Sequence, residues 1–103
     1  MPVTRVLALP AHSAYDAEMK PVTIYSTTFC SYCRAAKSFL TQKRVPFTEV
    51  DLTGNDAGRD ALVERSGRRT VPQIYIGDTH VGGYDDLRAL DRAGGLDALL
   101  NAS

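Results

Sequence analysis

Apolar and polar positions along the chain fall into short blocks that alternate between strand-like and helical periods. Val22-Thr23-Ile24-Tyr25-Ser26 is apolar and β-branched, which predicts a buried strand. From Cys30 to Gln42 the period becomes helical, with Ala36, Phe39 and Leu40 on one face and Arg34, Lys37 and Gln42 elsewhere. Val45-Pro46 ends that helix, and Phe47 to Leu52 reads as a second strand. Thr53-Gly54-Asn55-Asp56 is a turn that supplies N-cap candidates. Ala57 to Ser66 is predicted as a second helix, stopped by Gly67 in the left-handed conformation. Gln73 to Ile76 is a third strand, and Gly77-Asp78 a two-residue turn with Gly first, which returns Thr79 to Val81 as a short fourth. Gly82-Gly83-Tyr84-Asp85-Asp86 leads into a third helix, about Leu87 to Ala93, and Leu96 to Asn101 follows the Gly94-Gly95 break.

The order is β-α-β-α-β-β-α. A helical crossover makes the first two strands parallel, with a right-handed connection. The two-residue turn makes the last pair antiparallel. The expectation is an α/β fold with a four-stranded mixed sheet flanked by helices. Residues 1–19 stand apart. They carry Pro2 and Pro10, show no clear period, and are expected to form a poorly structured N-terminal extension before a domain at 20–103. Met19 is expected to be the functional start of the domain, with residues 1–18 dispensable.

Composition narrows the function. At 103 residues with 44% hydrophobic content, the chain supports one small core. Its formal net charge is +0 and its pI about 6.7, so no global basic field exists to hold nucleic acid or an anionic membrane. The longest apolar runs are too short to span a bilayer, and Val6-Leu7-Ala8-Leu9, cut off by Pro10, is too short for a secretory signal. Two cysteines do not make a disulfide-stapled scaffold, so the expected compartment is the reducing cytoplasm. A monomer is expected.

The two cysteines form Cys30-Ser31-Tyr32-Cys33, at the junction between the first strand and the first helix. A helix N-terminus offers unpaired N–H groups and partial positive charge, which favour a thiolate over a thiol. Thiolate is the reactive form, so the placement points to redox chemistry. Cys30, at the loop–helix junction, is expected to be the exposed nucleophile. Cys33, one turn further in, is expected to be the more buried thiol that resolves a mixed disulfide on Cys30. The competing reading is half of a zinc site. Zinc usually takes four ligands, and His12 and His80 lie far apart with no paired spacing, so no metal site is expected.

Three motifs in order, Cys30-Ser31-Tyr32-Cys33, Thr70-Val71-Pro72-Gln73 and Gly82-Gly83-Tyr84-Asp85-Asp86-Leu87, make residues 20–101 resemble a glutaredoxin, especially the small bacterial dithiol members. The resemblance implies a thioredoxin-like fold. It implies a cis Val71–Pro72 bond, leaving the Val71 backbone to pair with a peptide-like substrate; without it, Pro72 reads as an ordinary proline opening an edge strand. Gly82-Gly83 permits close backbone approach, the N–H groups of Tyr84, Asp85 and Asp86 can bind a carboxylate, and the Asp86 carboxylate can meet an ammonium group. Together these suit the γ-glutamyl end of glutathione, although a glycine turn with an Asp cap is a common helix start. For the glycine carboxylate, alignment with the family implies Arg59, then Arg69 beside Thr70, and more weakly Lys37, each of which could equally be a solvated cation. Tyr32 is read either as a shield for the thiols or as a partly exposed aromatic. Ser31 replaces the family's usual Pro, and Thr27 a common Lys, which shifts weight to Arg59.

The implied activity is glutathione-dependent thiol–disulfide exchange. Cys30 would attack a protein disulfide or a glutathionylated protein, and glutathione, renewed indirectly by glutathione reductase, would reset the Cys30–Cys33 pair as co-substrate. No tightly bound cofactor is expected. One alternative is a [2Fe-2S] cluster held between two copies by Cys30 and glutathione, which Ser31 suits by resemblance. Another is a thioredoxin-like donor recharged by a flavoprotein, but the chain has no Trp and does have the Gly-Gly-Tyr-Asp-Asp site.

Overall fold

The computed structural model describes residues 3–7 and 19–101, the former as backbone alone. Val22–Ser26 (β2), Phe47–Asp51 (β3), Gln73–Ile76 (β4) and Thr79–Gly82 (β5) are the four strands expected from the pattern. β2 and β3 run parallel, and β4 is antiparallel to both β2 and β5. Ser31–Gln42 (α1) is the crossover that makes the first pair parallel, Asp56–Ser66 (α2) follows β3, and Tyr84–Arg92 (α3) and Gly95–Asn101 (α4) close the chain.

A fifth strand, Val3–Leu7 (β1), pairs antiparallel with the outer edge of β3, giving the order β1-β3-β2-β4-β5. This corrects the expectation of a wholly loose segment at 1–19: Val3 and Val6 are β-branched, and β3 offers an edge with unsatisfied backbone groups. The rest of that segment, 1–2 and 8–18, lies outside the described residues.

The core fills one face of the sheet. Val22, Ile24, Phe47, Ile74 and Ile76 pack there against Ala36 and Leu40 of α1, Leu87 of α3, and Leu96 and Leu100 of α4. Ile24, Ile74, Ile76 and Leu40 are fully buried, as their period required. On the other face Tyr25 and Tyr75 meet edge to face, and Leu62 is the buried residue of α2.

Element ends follow local chemistry. Asn55 caps α2 by accepting from the Gly58 N–H at 2.9 Å, and Gly67 stops it at φ 74. α3 begins at Tyr84 rather than near Leu87. Its first turn is Tyr-Asp-Asp, which a search for apolar period passes over, but the Asp86 carboxylate accepts the N–H of Gly83, the N-cap, at 2.9 Å.

Candidate active site

The turn after β2 carries Cys30, the nucleophile expected from the sequence, to the rim of the sheet. Thr53 holds this turn in place: its Oγ1 accepts the Thr28 N–H at 2.7 Å, while its own N–H donates to Asp51 Oδ1 at 2.9 Å. Those Thr53 contacts keep the Asp51 carboxyl below its ordinary range. Cys30 is the N-cap of α1, with extended backbone at φ −141 and ψ 106. Its sulphur accepts the Cys33 N–H at 3.1 Å, so it takes the capping role usually filled by an oxygen. The Cys30 thiol also faces the Val71 carbonyl at 3.6 Å. A donor aimed at the sulphur from the first helical turn suits a thiolate nucleophile.

Cys30 is partly exposed and Cys33 is 0% exposed, and both are free thiols. Burial pushes the Cys33 thiol up to about 12, and the hydrogen bond with Cys30 adds to this. The Thr27 backbone and the Lys37 charge pull the other way.

Two clefts adjoin the Cys30 turn, one reaching it at Tyr32 and Val71 and the other at Phe29. One, of ≈ 260 Å³, is lined by Tyr32, Arg68, Thr70, Val71, Pro72, Gly83, Tyr84, Asp85 and Asp86. The Val71–Pro72 bond is cis. Gly82 adopts φ 114, and a Cβ there would come within 2.9 Å of Asp86 Cγ and 3.1 Å of Arg68 Nη1, so glycine is required at this turn. Arg68 Nη1 pairs with Asp86 Oδ2 at 2.8 Å. That contact, followed by the Gly83 N–H, holds the Asp86 carboxyl below the usual carboxylate range. Tyr32 is 61% exposed and its ring lies 6.4 Å from that of Tyr84.

The second cleft, of ≈ 480 Å³, is lined by Thr27, Phe29, Leu52, Thr53, Gly54, Asp56, Arg59, Asp60, Val63 and Arg69. Arg59 Nη2 donates to the Arg69 carbonyl at 2.9 Å, which fixes its guanidinium against the loop before Pro72. The expected site residues therefore divide. Tyr32, Thr70, Val71, Pro72, Gly83, Tyr84, Asp85 and Asp86 share one cleft, and Thr27, Arg59 and Arg69 share the other. Lys37, the weaker carboxylate candidate, is seated on Glu49 at 2.7 Å. Sequence reasoning missed Arg68 and the 94% exposed Phe29 beside Cys30. The position of Phe29 next to the nucleophile was a usable signal.

The glutaredoxin family model matches residues 22–81. The chain belongs to the glutaredoxin family. It is 55% identical over 84 residues to a glutaredoxin of Pseudomonas aeruginosa, a match covering 82% of this chain and 100% of that protein. It is 52% identical over 82 residues to glutaredoxin 3 of Escherichia coli strain K12, covering 80% and 99% respectively. Among solved structures it is similar to a buckwheat glutaredoxin–glutathione complex, with a TM-score of 0.74 and 33% identity over 79% of this chain and 76% of that one. As a glutaredoxin the chain is a glutathione-dependent disulfide oxidoreductase with a thioredoxin-like fold. No helix among the described residues is long and apolar enough to cross a membrane.

Proposed function

We propose that this glutaredoxin reduces protein disulfides and glutathionylated proteins through Cys30 as nucleophile and Cys33 as resolving thiol. The observation that carries the reading is the Cys30 sulphur at the cap of α1, with the Cys33 N–H 3.1 Å away and the partly exposed thiol between two clefts. Cys30 thiolate attacks the glutathione-linked sulphur of a mixed disulfide and expels the substrate thiol. A second glutathione then attacks the adduct, or Cys33 displaces glutathione to leave a Cys30–Cys33 disulfide.

The two clefts fit the two ends of glutathione. The Asp86 carboxylate and the first-turn N–H groups of α3 would receive the γ-glutamyl ammonium and carboxylate, and Arg59 and Arg69 the glycine carboxylate. That a buckwheat relative was solved as a glutathione complex supports this assignment. The protein acts as a monomer in a reducing compartment, the cytoplasm, on protein partners and on glutathione that glutathione reductase renews.

The test is steady-state reduction of a glutathione mixed disulfide, coupled to glutathione reductase, in wild type, Cys30→Ser and Cys33→Ser. The expected result is no turnover without Cys30 and retained turnover without Cys33. An active Cys30→Ser protein would refute the nucleophile assignment.

A second reading rests on Ser31, exposed directly after Cys30, where a proline would stiffen the rim. Two copies could then approach closely enough to share a [2Fe-2S] cluster between their Cys30 thiolates and two glutathiones. No group of three potential metal-ligating side chains gathers among the described residues, so a cluster would have to span two copies. Anaerobic reconstitution with iron, sulfide and glutathione tests this by charge-transfer absorption and a shift to dimer mass. Persistent absence of both rejects it.

A further inference from the structure

A charged pair lies beneath the resolving thiol. Glu49 is 5% exposed and shares with Phe47 the sheet face that α1 covers. Its Oε2 accepts from Ser26 Oγ at 2.7 Å and from Lys37 Nζ at 2.7 Å. Ser26 ends β2, and the backbone of the next residue, Thr27, favours the Cys33 thiolate. Lys37 follows Cys33 by four positions on α1, so the two side chains share a helix face. A buried carboxylate is costly even when paired, and an apolar residue at 49 would avoid that cost. The contacts from Ser26 and Lys37 explain how Glu49 is tolerated. They do not explain why charge is placed at this position.

We infer that Lys37 is a positioning residue for the resolving step: Glu49 and Ser26 hold its ammonium group on the Cys33 face of α1, where the positive charge stabilises the Cys33 thiolate as it forms. The inference rests on the resolving role proposed above for Cys33. In the adduct, Cys30 is bonded through sulphur to glutathione. Cys33 gives its proton to water, and its thiolate attacks Cys30 Sγ. The bond to glutathione breaks, its electron pair leaves on the glutathione sulphur, and that sulphur takes up a proton. No electrons enter or leave.

Burial of Cys33 opposes the first of these events. The groups acting on Cys33 are Cys30 and Lys37 from α1 and the Thr27 backbone, and Lys37 is the cation among them. In the adduct Cys30 carries no charge, so its opposition disappears while the Lys37 contribution stays. From β3, Asp51 interacts with Glu49. α3, also packed on α1, directs Tyr84 to Tyr32 and Asp91 to Lys43 near the far end of the helix.

The experiment follows the full chain after mixing the reduced protein with glutathione disulfide. Acid quench and mass spectrometry read the conversion of the glutathionylated protein to the Cys30–Cys33 disulfide at several pH values. Lys37→Met is expected to slow conversion severalfold at each pH, through loss of the cation that favours the Cys33 thiolate. Lys37→Arg, which keeps the charge and can still reach Glu49, is expected to restore the rate. Equal slowing by Met and Arg would make Lys37 a packing residue and overturn the inference, as would a wild-type rate in Lys37→Met. Wild type that stays glutathionylated would overturn the resolving role of Cys33 itself, a distinct result. Lys37 is 23% exposed at its side chain, so both variants are expected to keep the fold, checked by thermal melting.

Discussion

Arg68 closes onto Asp86, its Nη1 standing 2.8 Å from the same carboxylate oxygen that accepts the Gly83 N–H. The pair joins the loop before the cis bond to the start of α3, across the cleft proposed for the γ-glutamyl end. Both side chains are nearly half exposed, so the ion pair itself contributes only about 0.5 kcal/mol to stability. Arg68→Gln is therefore expected to leave the melting temperature almost unchanged while raising KM for a glutathionylated substrate severalfold. Asp86→Asn, which removes the charge that would meet the ammonium group, is expected to raise KM further. Unchanged kinetics in both variants would remove this cleft from the site.

Gly82 makes the opposite prediction, large for the fold. Its φ of 114 disfavours any side chain, and a Cβ would press on Asp86 and Arg68. Gly82→Ala is expected to destabilise the protein by about 2 kcal/mol, the scale of one strained backbone position. Urea unfolding measures it.

Arg59 lines the other cleft, fixed by its bond to the Arg69 carbonyl. With Thr27 adding no cation to this cleft, Arg59→Ala is expected to raise KM for glutathionylated substrate severalfold with little change in kcat. Equal kinetics in variant and wild type would place the glycine carboxylate elsewhere.

Cys33 sets an alkaline limit. Folded, its thiol is pushed from an ordinary 9.0 up to about 12, so the native state binds that proton more tightly than the unfolded state does. Stability from this group is complete below the unfolded value and is lost as pH rises from there through the folded value. The reduced protein is expected to weaken between about pH 9 and about pH 12, and Cys33→Ala to lose part of that slope. Urea melts of the two proteins across this range decide it, and parallel slopes would count against the buried thiol as the cause.

Deleting residues 1–18 is expected to leave turnover intact, since the described lining of both clefts and the described core come from residues 19–101. The melting temperature should fall modestly, because the ladder from β1 to β3 is lost. Loss of activity would show that the domain does not begin near residue 20.

Much of this was legible in the sequence for identifiable reasons. β2, β3 and α1 carry clear periods, α2, β4 and β5 are marked off by Asn, Gly and Pro at their ends, and the cysteines mark their own junction. β1 was not, because its pairing with β3 joins positions more than forty residues apart, such as Val3 and Asp51. The first turn of α3 was missed because its stability comes from the Asp86 cap and not from apolar spacing. Arg68 was missed because its partner lies eighteen residues on, which no local pattern reports. Glu49 was half legible: strand alternation puts it on the same face as Phe47, but only the structure shows Ser26 and Lys37 converging on it.

The placement of the two clefts has a consequence for the polarity of a bound peptide. Asp86 lies in the wall on one side of Cys30 and Arg59 in the wall on the other. With those walls as the two ends of the proposed glutathione site, a tripeptide with its thiol in the middle would satisfy both in one orientation only, ammonium towards Asp86 and terminal carboxylate towards Arg59. On the proposed assignment, the same ligand turned end for end would set its terminal carboxylate against Asp86 and its ammonium against Arg59. Such a site would distinguish the head of its ligand from the tail, a discrimination that the thiol chemistry alone does not provide.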